Sequence, residues 1–285
     1  MKRLVALSRS PAYSPNQHRT NDAAILEEVV AAMAPLGWVG TTIGERDVVA
    51  GRVPAGDLYL NMCQGIAASN RLLDLSLSGP IHNHPASVLN CHRHNLARIL
   101  RAAELPFPET VFVPTSDPHP NGPIVRMAAE HDLLWVKRSD VHAEVTEDVV
   151  RTTLSGLAST IERFAGRGIG SIAIQGHVAG PIVKFYGVAG GSFFHWYVAE
   201  AGGQRPVEVD VERLAELANA AAAALGLEIF GGDAAIPRPD LPVLIDINDW
   251  PSFAPVRAGA ARAIAERVHH LFTRDQLTCS SNSKK

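Results

Sequence analysis

The sequence predicts an α/β protein built from two or three packed lobes. In the first third of the chain, short apolar runs alternate with helical segments, which is typical of a parallel sheet. Toward the end, two pairs of apolar runs are joined by the short turns AGG and PRPD, a pattern that indicates β-hairpins. The 285 residues, 46% of them hydrophobic, supply enough apolar material for more than one core.

The first third of the chain contains the predicted parallel sheet. Its strands cover residues 3–8, 38–43 and 57–63. After the first strand, a polar loop leads into a helix that Asn21 or Asp22 caps and that ends at Gly37. Because ligands of parallel α/β sheets bind beside the loops that follow the strands, loop 8–22 is a candidate substrate loop. A solvated surface turn is the alternative interpretation of this loop.

The rest of the chain contains further helices and the two hairpins. The turn GPIHNHPA leads into the helix LNCHRHNLARILRAAEL, which Pro106 and Pro108 terminate. Strands at 133–137 and 171–175 enclose a helix around 147–165. The two hairpins flank a helix that a glycine ends, and a final helix, PVRAGAARAIAERVHHLF, precedes a polar tail.

Composition and charge exclude several classes of function. The net charge is −3 without a basic stripe or an acidic block, so we expect no nucleic-acid partner. No apolar stretch reaches the ~18 residues of a membrane span, and the apolar run at the start is too short for a signal peptide. The cysteines, Cys63, Cys91 and Cys279, form no C-x-x-C pair, which favours reduced thiols over disulfides or structural zinc. A cytoplasmic protein without membrane partners is the expectation.

The most informative polar residues lie on the last two predicted strands. Asp233 lies on one strand, and Asp246 and Asn248 lie on the next, separated by one residue. Alternate residues of a strand share a face, and a hairpin across PRPD brings Asp233 to the same face. Mg²⁺ prefers oxygen ligands and is usually held by one or two carboxylates together with substrate phosphates. These three residues are therefore the predicted metal ligands, although D-x-N alone is a common tripeptide.

Two lysines interrupt otherwise apolar strands. Lys137 ends the run LLWVK, and Lys184 lies within IVKFYG. A lysine on a strand is often a solvated edge residue, but a buried ammonium group requires an anionic partner. These two side chains would neutralise a polyphosphate whose charge a metal ion compensates only in part.

In this order along the chain, the motifs resemble the ATP-grasp superfamily over nearly the whole sequence. LLWVKRSDVHA is similar to the strand that bears the phosphate-binding lysine, and IAIQGHVAG to the hinge strand that binds adenine through its backbone. LEIFGGDAAIPRPDLPVLIDINDWPSF is similar to the metal-binding strands. GPIHNHPASVLNCHRHNLARILRAAELPFPET is similar to the segment that precedes them, with Arg93 in place of the usual lysine. The resemblance implies ATP and Mg²⁺ as cofactors, with Mn²⁺ as a substitute for Mg²⁺.

The resemblance also implies the fold and the site. It implies an ATP-grasp fold with an N-terminal Rossmann-like lobe. The predicted segments are residues 1–88 for the N-terminal lobe on the substrate side, 89–275 for the ATP-grasp domain (central lobe about 110–175, C-terminal lobe about 176–275) and 276–285 for a disordered tail. The predicted nucleotide-binding residues are Arg93, Lys137, His142, Gln175, Gly176, His177, Val178 and Lys184. The predicted catalytic residues are Lys137, Lys184 and Arg257.

The sequence departs from the ATP-grasp pattern at three places. Asp246 stands where the family commonly has glutamate, and Pro251-Ser252 stands where it has Pro-Gly. The stretch SDVHAEVTEDVV, which corresponds to the glycine-rich loop over the phosphates, is acidic.

Two reactions use this kind of ATP site. Most ATP-grasp enzymes activate a carboxylate as an acyl phosphate, which an amine attacks to form an amide, whereas the inositol-phosphate kinases of the superfamily phosphorylate a hydroxyl. DINDWPSF resembles the kinase version, and His142 follows Lys137 as a histidine does in those kinases. The cations expected near loop 8–22 suffice for one carboxylate or one phosphate, so we favour the ligase. These cations are Arg9, His18, Arg19, Arg138 and Arg257.

The substrate class follows from this choice. A ligase takes a small-molecule carboxylate, and a kinase takes a polyol. A third interpretation is an ATP-binding scaffold without an acceptor site, and the intact lysines and metal ligands argue against it. The family often forms dimers, so a homodimer is expected. Four histidines cluster in sequence, but residues two apart do not share a helix face, and zinc is not expected there. They are His82, His84, His92 and His94.

Overall fold

The computed structural model describes residues 1–14, 19–139, 146–199 and 207–282. Within these residues the strands form three sheets of four strands: one in the N-terminal part of the chain, one in the middle and one near the end. No described helix combines the length and the apolar character needed to cross a membrane.

The first sheet is parallel and carries helices on both faces. In chain order its elements are β1 (Lys2–Ser8), α1 (Arg19–Met33), β2 (Trp38–Gly44), α2 (Glu45–Val49), β3 (Leu58–Asn61), α3 (Ile66–Asp74) and β4 (Ile81–His82). The strands lie in the order β2-β1-β3-β4 and pair in parallel, as the alternation of strands and helices predicted. One face packs on α1 and the other on α2 and α3, which explains the unbroken apolar run of β1.

Helix α1 begins earlier than predicted. It starts at Arg19, so Asn21 and Asp22 lie in its first turn and not at its cap. The Asp22 carboxylate instead accepts hydrogen bonds from Ser14 Oγ at 2.7 Å and from Arg9 Nη1 at 3.2 Å. The expected cap was wrong because the preceding loop already engages this side chain.

The middle sheet is antiparallel. In chain order the elements of this part are α4 (Pro85–Asn90), α5 (Arg93–Ala102), β5 (Thr110–Pro114), α6 (Gly122–Glu130), β6 (Leu134–Arg138), β7 (Val149–Thr152), α7 (Leu154–Gly166) and β8 (Ser171–Gly176). The strands lie in the order β5-β8-β6-β7. The predicted strands near 133–137 and 171–175 correspond to β6 and β8.

The middle part corrects the sequence prediction at three places. The helix predicted around 147–165 starts only at Leu154, because the residues before it form β7, with Val150 opposite Val136. Consecutive β-branched residues favour this strand. The single helix predicted before Pro106 is divided into α4 and α5, and α6 was not predicted.

The last sheet contains both predicted hairpins. In chain order its elements are β9 (Ile182–Val188), β10 (Phe193–Val198), α8 (Val211–Leu225), β11 (Ile229–Arg238), β12 (Leu241–Asp249) and α9 (Arg257–Asn282). The strands lie in the order β10-β9-β11-β12, and neighbours are antiparallel. Helix α8 ends at Leu225 and is capped by Gly226, whose φ of 77° is a left-handed conformation that glycine adopts without strain.

Helix α9 continues into residues that were predicted to be a disordered tail. It extends to Asn282, so the predicted disorder is wrong for residues 276–282, and residues 283–285 lie outside the described part. A helix already formed extends readily because each added residue gains a backbone hydrogen bond. Ile264 and Val268 of α9 share a core with α1 and β1. The end of the chain thus packs on the N-terminal sheet, and the predicted lobe boundaries stay a prediction.

Two of the three cysteines are buried and free. They are Cys63 and Cys91, and burial raises the pKa of both thiols well above the usual value. Both are therefore protonated at neutral pH. The side chain of Cys279 lies outside the described residues.

Asn83 joins the N-terminal sheet to the last sheet. It is fully buried, and its Nδ2 donates to the carbonyl oxygen of Ile229 at 2.7 Å. Its Oδ1 accepts from the backbone N–H groups of Glu228 and Ile229 at 2.8 and 2.9 Å. The backbone oxygen of Asn83 accepts from Asn61 in turn. One amide side chain thus satisfies three backbone groups at the junction between two sheets.

We expect Asn83→Ala to reduce the free energy of unfolding by about 3 kcal/mol, because it removes the acceptor of the Glu228 and Ile229 N–H groups and leaves Ile229 O with Trp250 N–H as its remaining donor. Urea denaturation would measure this loss. Asn90→Ala is the matched control, because Asn90 donates a single hydrogen bond, to Leu225 O at 3.2 Å, and should cost only about 1 kcal/mol. Equal losses in the two variants would contradict the role given to Asn83.

Candidate functional site

Three charged side chains form a row across the last sheet. Lys184 on β9 lies opposite Asp233 on β11, and Asp233 lies opposite Asp246 on β12. Directly opposed residues of antiparallel strands project from the same face, and Asn248 follows Asp246 at the spacing of that face. All four residues line one cavity of about 390 Å³, which we call the row cavity. The structure therefore brings the three predicted metal ligands together.

The carboxylates of this row already have cationic neighbours. Lys184 Nζ lies 2.7 Å from Asp233 Oδ1, and Arg93 Nη1 lies 3.6 Å from Asp246 Oδ2. Burial alone would lower the pKa of Lys184, but the Asp233 carboxylate outweighs burial and raises it. The lysine is therefore charged at neutral pH and placed against the predicted metal ligands.

The donor atoms of the row fit Mg²⁺. Two carboxylates and one amide face the same cavity, and Mg²⁺ accepts such oxygens with phosphate oxygens or water in its remaining positions. In the described parts of the chain, no group of three or more histidine, cysteine or acidic side chains is placed to hold a metal by itself. A metal ion in the row would therefore depend on Asn248 and on oxygens of the substrate.

Lys137 and Arg93 approach the same row from the other side. Lys137 on β6 is 5% exposed, and its Nζ donates to Gln175 Oε1 at 2.6 Å. Burial, with a smaller contribution from Arg93, lowers the pKa of Lys137 to about 8. Arg93 Nε donates to the carbonyl oxygen of Arg138 at 2.8 Å, which holds the guanidinium near Asp246. A buried lysine beside a buried arginine is an arrangement that a bound polyanion would stabilise.

A second cavity of about 230 Å³, which we call the hinge cavity, lies between the middle and last sheets. The predicted residues that line it are Lys137, Gln175, Gly176, His177 and Val178. Apolar side chains form much of its wall, among them Trp135, Ile182 and Ile245. Asp233 lines this cavity as well as the row cavity. The size and the apolar lining suit a nucleotide base.

Some backbone groups of the predicted hinge, residues 175–178, already form hydrogen bonds within the protein. Gln175 pairs with β5 and β6 on its two sides, and its side chain bonds Lys137. Gly176 N–H donates to Glu109 O, and His177 N–H donates to Leu133 O, both at 3.1 Å. Val178 N–H has no hydrogen-bond partner among the described residues. Of the predicted hinge, Val178 is thus the residue whose N–H remains available to a base.

Two predicted site residues that the structure describes, Arg93 and Arg257, line neither cavity. Arg257 lies at the start of α9, where Nη2 donates to Asn21 Oδ1 at 2.7 Å and Nη1 lies 3.8 Å from Glu28 Oε1. It lines neither cavity, because α1 engages its guanidinium. His142 lies outside the described residues, as does His18 of the candidate substrate loop.

The clustered histidines have separate local roles. His84 Nδ1 accepts from Ala86 N–H at the start of α4, and the His94 ring packs on Phe112 with ring centres 4.6 Å apart. These contacts place the two rings at different elements of the fold.

The candidate substrate loop contributes directly to the row cavity. Arg9 and Tyr13 from this loop and Asp22 from α1 line it. Arg9 Nη2 donates to the carbonyl oxygen of Trp250 at 2.9 Å. This hydrogen bond attaches the loop to the residue that follows β12. The described residues Arg9 and Tyr13 of the loop therefore face the row cavity, as expected of a loop that follows a parallel strand.

Several residues of the row cavity were not predicted. These are Gln64, Tyr186, Tyr197, Asp249, Trp250 and Ser252. Tyr186 was accessible to prediction, because it shares the face of Lys184 two residues earlier on β9. Tyr197 lies opposite Lys184 in the hairpin register, and the hydroxyl groups of Tyr186 and Tyr197 are 3.0 Å apart. Gln64 lies three residues after the end of β3, in the loop region where ligands of parallel sheets bind.

Asp249, at the end of β12, is 1% exposed. Its Oδ1 accepts from Gln64 Nε2 at 3.3 Å, and its Oδ2 has no partner among the described residues. Burial raises the pKa of Asp249 to about 6, although the charge of Arg9 opposes this shift. Asp249 thus belongs to the residues that line the row cavity, but its unpartnered oxygen is enclosed by protein.

Comparison with known proteins gives matches in structure but not in sequence. No family model matches the chain, and no curated protein matches it. The D-alanine–D-alanine ligase from Bacillus anthracis complexed with ATP is similar, with a TM-score of 0.70 and 13% identity over 96% of this chain and 100% of that chain. The RimK domain ATP-grasp protein from Sphaerobacter thermophilus has a TM-score of 0.64 and 17% identity over 93% and 99%. The D-cycloserine synthetase DcsG has a TM-score of 0.64 and 14% identity over the same shares.

These matches cover nearly the whole of both chains at low identity. They establish the fold, which is the α/β ATP-grasp fold that the ordered motifs predicted.

Proposed function

We propose that this chain, which has the ATP-grasp fold, is an enzyme that uses Mg-ATP to join a carboxylate to an amine through an acyl phosphate. The observation that carries the proposal is the position of Asp233, which lines both the hinge cavity and the row cavity. A nucleotide whose base occupies the hinge cavity would direct its phosphates past Lys137 to the row. The row cavity then offers space for a second molecule beside the terminal phosphate.

The residues of the row would hold the phosphates in place. Asp233, Asp246 and Asn248 would bind Mg²⁺, which when bound neutralises phosphate charge and orients the triphosphate. Lys137 from β6 and Lys184 from β9 would supply ammonium groups to the terminal phosphate. Charge-assisted contacts of this kind stabilise the transferring phosphoryl group in the transition state.

The reaction needs no covalent bond to the protein. An oxygen of the substrate carboxylate attacks the γ-phosphorus, and the bond from that phosphorus to the ADP oxygen breaks. The amine nitrogen then attacks the acyl carbon of the acyl phosphate. The carbon–oxygen bond breaks with release of phosphate, and the nitrogen loses a proton to solvent. Positioning and charge stabilisation are the contributions of the protein.

The charges of the row cavity favour the ligase over a kinase for phosphorylated polyols. A phosphorylated acceptor requires several available cations. The described lining includes Arg9 and Lys184 as its arginine and lysine residues, and each is already paired with an aspartate. The predicted homodimer and the cytoplasmic location stay predictions from the sequence.

Product analysis tests the proposed function. The protein would be incubated with Mg-ATP and a panel of small acids, amines and polyols, one set of acids carrying oxygen-18 in the carboxylate. A ligase releases ADP and phosphate, forms a condensed amide, and transfers oxygen-18 from the acid to phosphate. A phosphorylated polyol without free phosphate would replace the ligase by the kinase. Nucleotide binding with no turnover on the whole panel would favour the scaffold.

A further inference from the structure

Tyr197 extends the charged row by one strand. It lies on the edge strand β10 opposite Lys184 on β9, and Lys184 lies opposite Asp233 on β11. Directly opposed residues of antiparallel strands project from the same face, so the phenol and the ammonium group are neighbours. Both side chains line the row cavity, and both residues are partly exposed. A ligand in the cavity can therefore reach both.

Within the described structure, Lys184 retains unused hydrogen-bond donors. An ammonium group carries three N–H donors. Among the described residues one of them is engaged, by Asp233 Oδ1 at 2.7 Å, and the side chain is 41% exposed. In the proposed function a second donor meets the terminal phosphate, which leaves the third for another anion.

The hydroxyl group of Tyr197 offers a further donor. Its oxygen lies 3.0 Å from that of Tyr186, and it has no other hydrogen-bond partner among the described residues. The bond between the two hydroxyl groups uses one of their two protons. Burial raises the pKa of Tyr186, and its hydrogen bond with Tyr197 raises it further. Because donating a hydrogen bond raises the pKa of a phenol, Tyr186 is the donor, and the proton of Tyr197 remains for a ligand.

These two donors suit one carboxylate. An ammonium N–H and a phenolic O–H side by side can each bind one of its oxygens, and hydrogen bonds to an ionised acceptor are about twice as strong as neutral ones. Neighbouring strands are about 4.8 Å apart, so a carboxylate between Tyr197 and Lys184 would lie within roughly 10 Å of the strand that carries Asp233. That distance suits an oxygen that attacks a terminal phosphate held at the metal row.

We propose that Tyr197 and Lys184 together bind the carboxylate of the donor substrate and direct one of its oxygens toward the terminal phosphate. The inference deepens the ligase function proposed above and rests on it. Tyr197 contacts the substrate directly in this assignment. Tyr186 is a positioning residue, because it acts by fixing the orientation of the Tyr197 hydroxyl group.

Removal of one hydroxyl group tests the assignment. Tyr197→Phe should raise KM for the carboxylic acid by about 10- to 100-fold, the loss expected for a hydrogen bond to a charged group. KM for Mg-ATP should stay at its wild-type value, because the proposed nucleotide contacts do not include Tyr197. Initial rates of ADP release at varied concentrations of the acid and of Mg-ATP would measure both constants. An unchanged KM for the acid would overturn the assignment.

A double variant tests the role of Tyr186. Tyr186→Phe should raise KM for the acid by about 2- to 10-fold, the loss expected for a neutral hydrogen bond. Because Tyr186 acts through Tyr197, the double variant should be no worse than Tyr197→Phe alone. Losses that multiply in the double variant would overturn the positioning role.

Direct binding separates the inference from the function on which it rests. Acetate, benzoate and phenylacetate, each with its uncharged primary amide, would be titrated by calorimetry into the protein loaded with Mg-ADP. We expect each acid to bind at least about 10-fold more tightly than its amide, and Tyr197→Phe to weaken binding of the acid by about 10-fold or more. This result supports the carboxylate site even if no condensation occurs, in which case only the ligase function fails. Acids that bind no better than their amides, or equally well to both proteins, overturn the site and leave the ligase function to product analysis.

Tyr59→Phe is the matched control for loss of a phenolic hydroxyl group. Tyr59 is 1% exposed in the first sheet, where its hydroxyl group accepts from Gly56 N–H at 2.8 Å and donates to Pro54 O at 3.1 Å. The same change there should lower the free energy of unfolding in urea and leave KM for the acid unchanged. Equal rises in KM in Tyr59→Phe and Tyr197→Phe, with both variants folded by circular dichroism, would assign the effect to stability and overturn the inference.

Discussion

Asp246→Asn is expected to lower kcat/KM for Mg-ATP-dependent turnover by more than about 100-fold, since even groups outside the metal ligands cost 10- to 100-fold when removed. Asp246 lies at the centre of the proposed phosphate site, opposite Asp233 and beside Arg93. The amide keeps the size of the side chain but removes the charge that binds Mg²⁺. Steady-state kinetics over a range of Mg²⁺ concentrations would measure the loss.

The control for this prediction lies on the same hairpin. Asp240→Asn makes the same chemical change at an exposed position, with Arg238 Nε 3.3 Å away, and turnover should be unchanged. Circular dichroism of both variants would establish that they are folded. Wild-type turnover in Asp246→Asn at limiting Mg²⁺ would refute the metal site.

Lys137→Met is expected to lower kcat by about 100- to 1000-fold, the cost of removing one preorganised donor to a developing charge. The lysine is buried on β6 and has a neutral partner, Gln175, in the structure. Methionine preserves most of its length and apolar contacts. Rapid-quench measurement of ADP formation with saturating Mg-ATP would isolate this step from nucleotide binding.

The pH dependence of nucleotide binding distinguishes a charge role for Lys137 from a packing role. Burial lowers its pKa to about 8, so above that pH the free protein has lost the proton that a bound phosphate requires. Affinity for Mg-ADP should therefore be level below about pH 8 and fall by up to about 10-fold per pH unit above it. Lys184 stays charged over this range because its pKa is raised.

Lys137→Arg is the matched variant for this experiment. A guanidinium keeps its charge throughout the range, so the decline in affinity above about pH 8 should disappear. Calorimetry in two buffers of different ionisation enthalpy would detect the accompanying proton uptake in the wild type. An equal decline in both proteins would assign the titration to another group.

Much of the candidate site was predictable because its chemistry is local in sequence. The face shared by Asp246 and Asn248 follows from strand geometry alone, and the PRPD turn placed Asp233 beside them. A lysine within an apolar run, as at Lys137, indicates a buried charge wherever the strand lies in the fold. The parallel first sheet and the two hairpins were predictable for the same reason.

Errors in the prediction arose where a distant partner decided the outcome. Val149–Thr152 was predicted to belong to the helix that follows it, but its pairing with β6 makes it a strand. Asp22 has the chemistry of a helix cap, yet Arg9 engages it. Arg257 was predicted to be a cation near the substrate, but in the fold its guanidinium group pairs with Asn21 and Glu28 of α1.

The sequence by itself determined the order of the motifs, the faces of the strands and the charges that meet a polyphosphate, because each depends on the spacing of a few neighbouring residues. Only the tertiary structure decided which charges remain without partners. Asp249 and Asp246 are three residues apart and chemically identical, but Arg93 lies beside one and the neutral Gln64 beside the other. That difference depends on contacts between residues far apart in the chain.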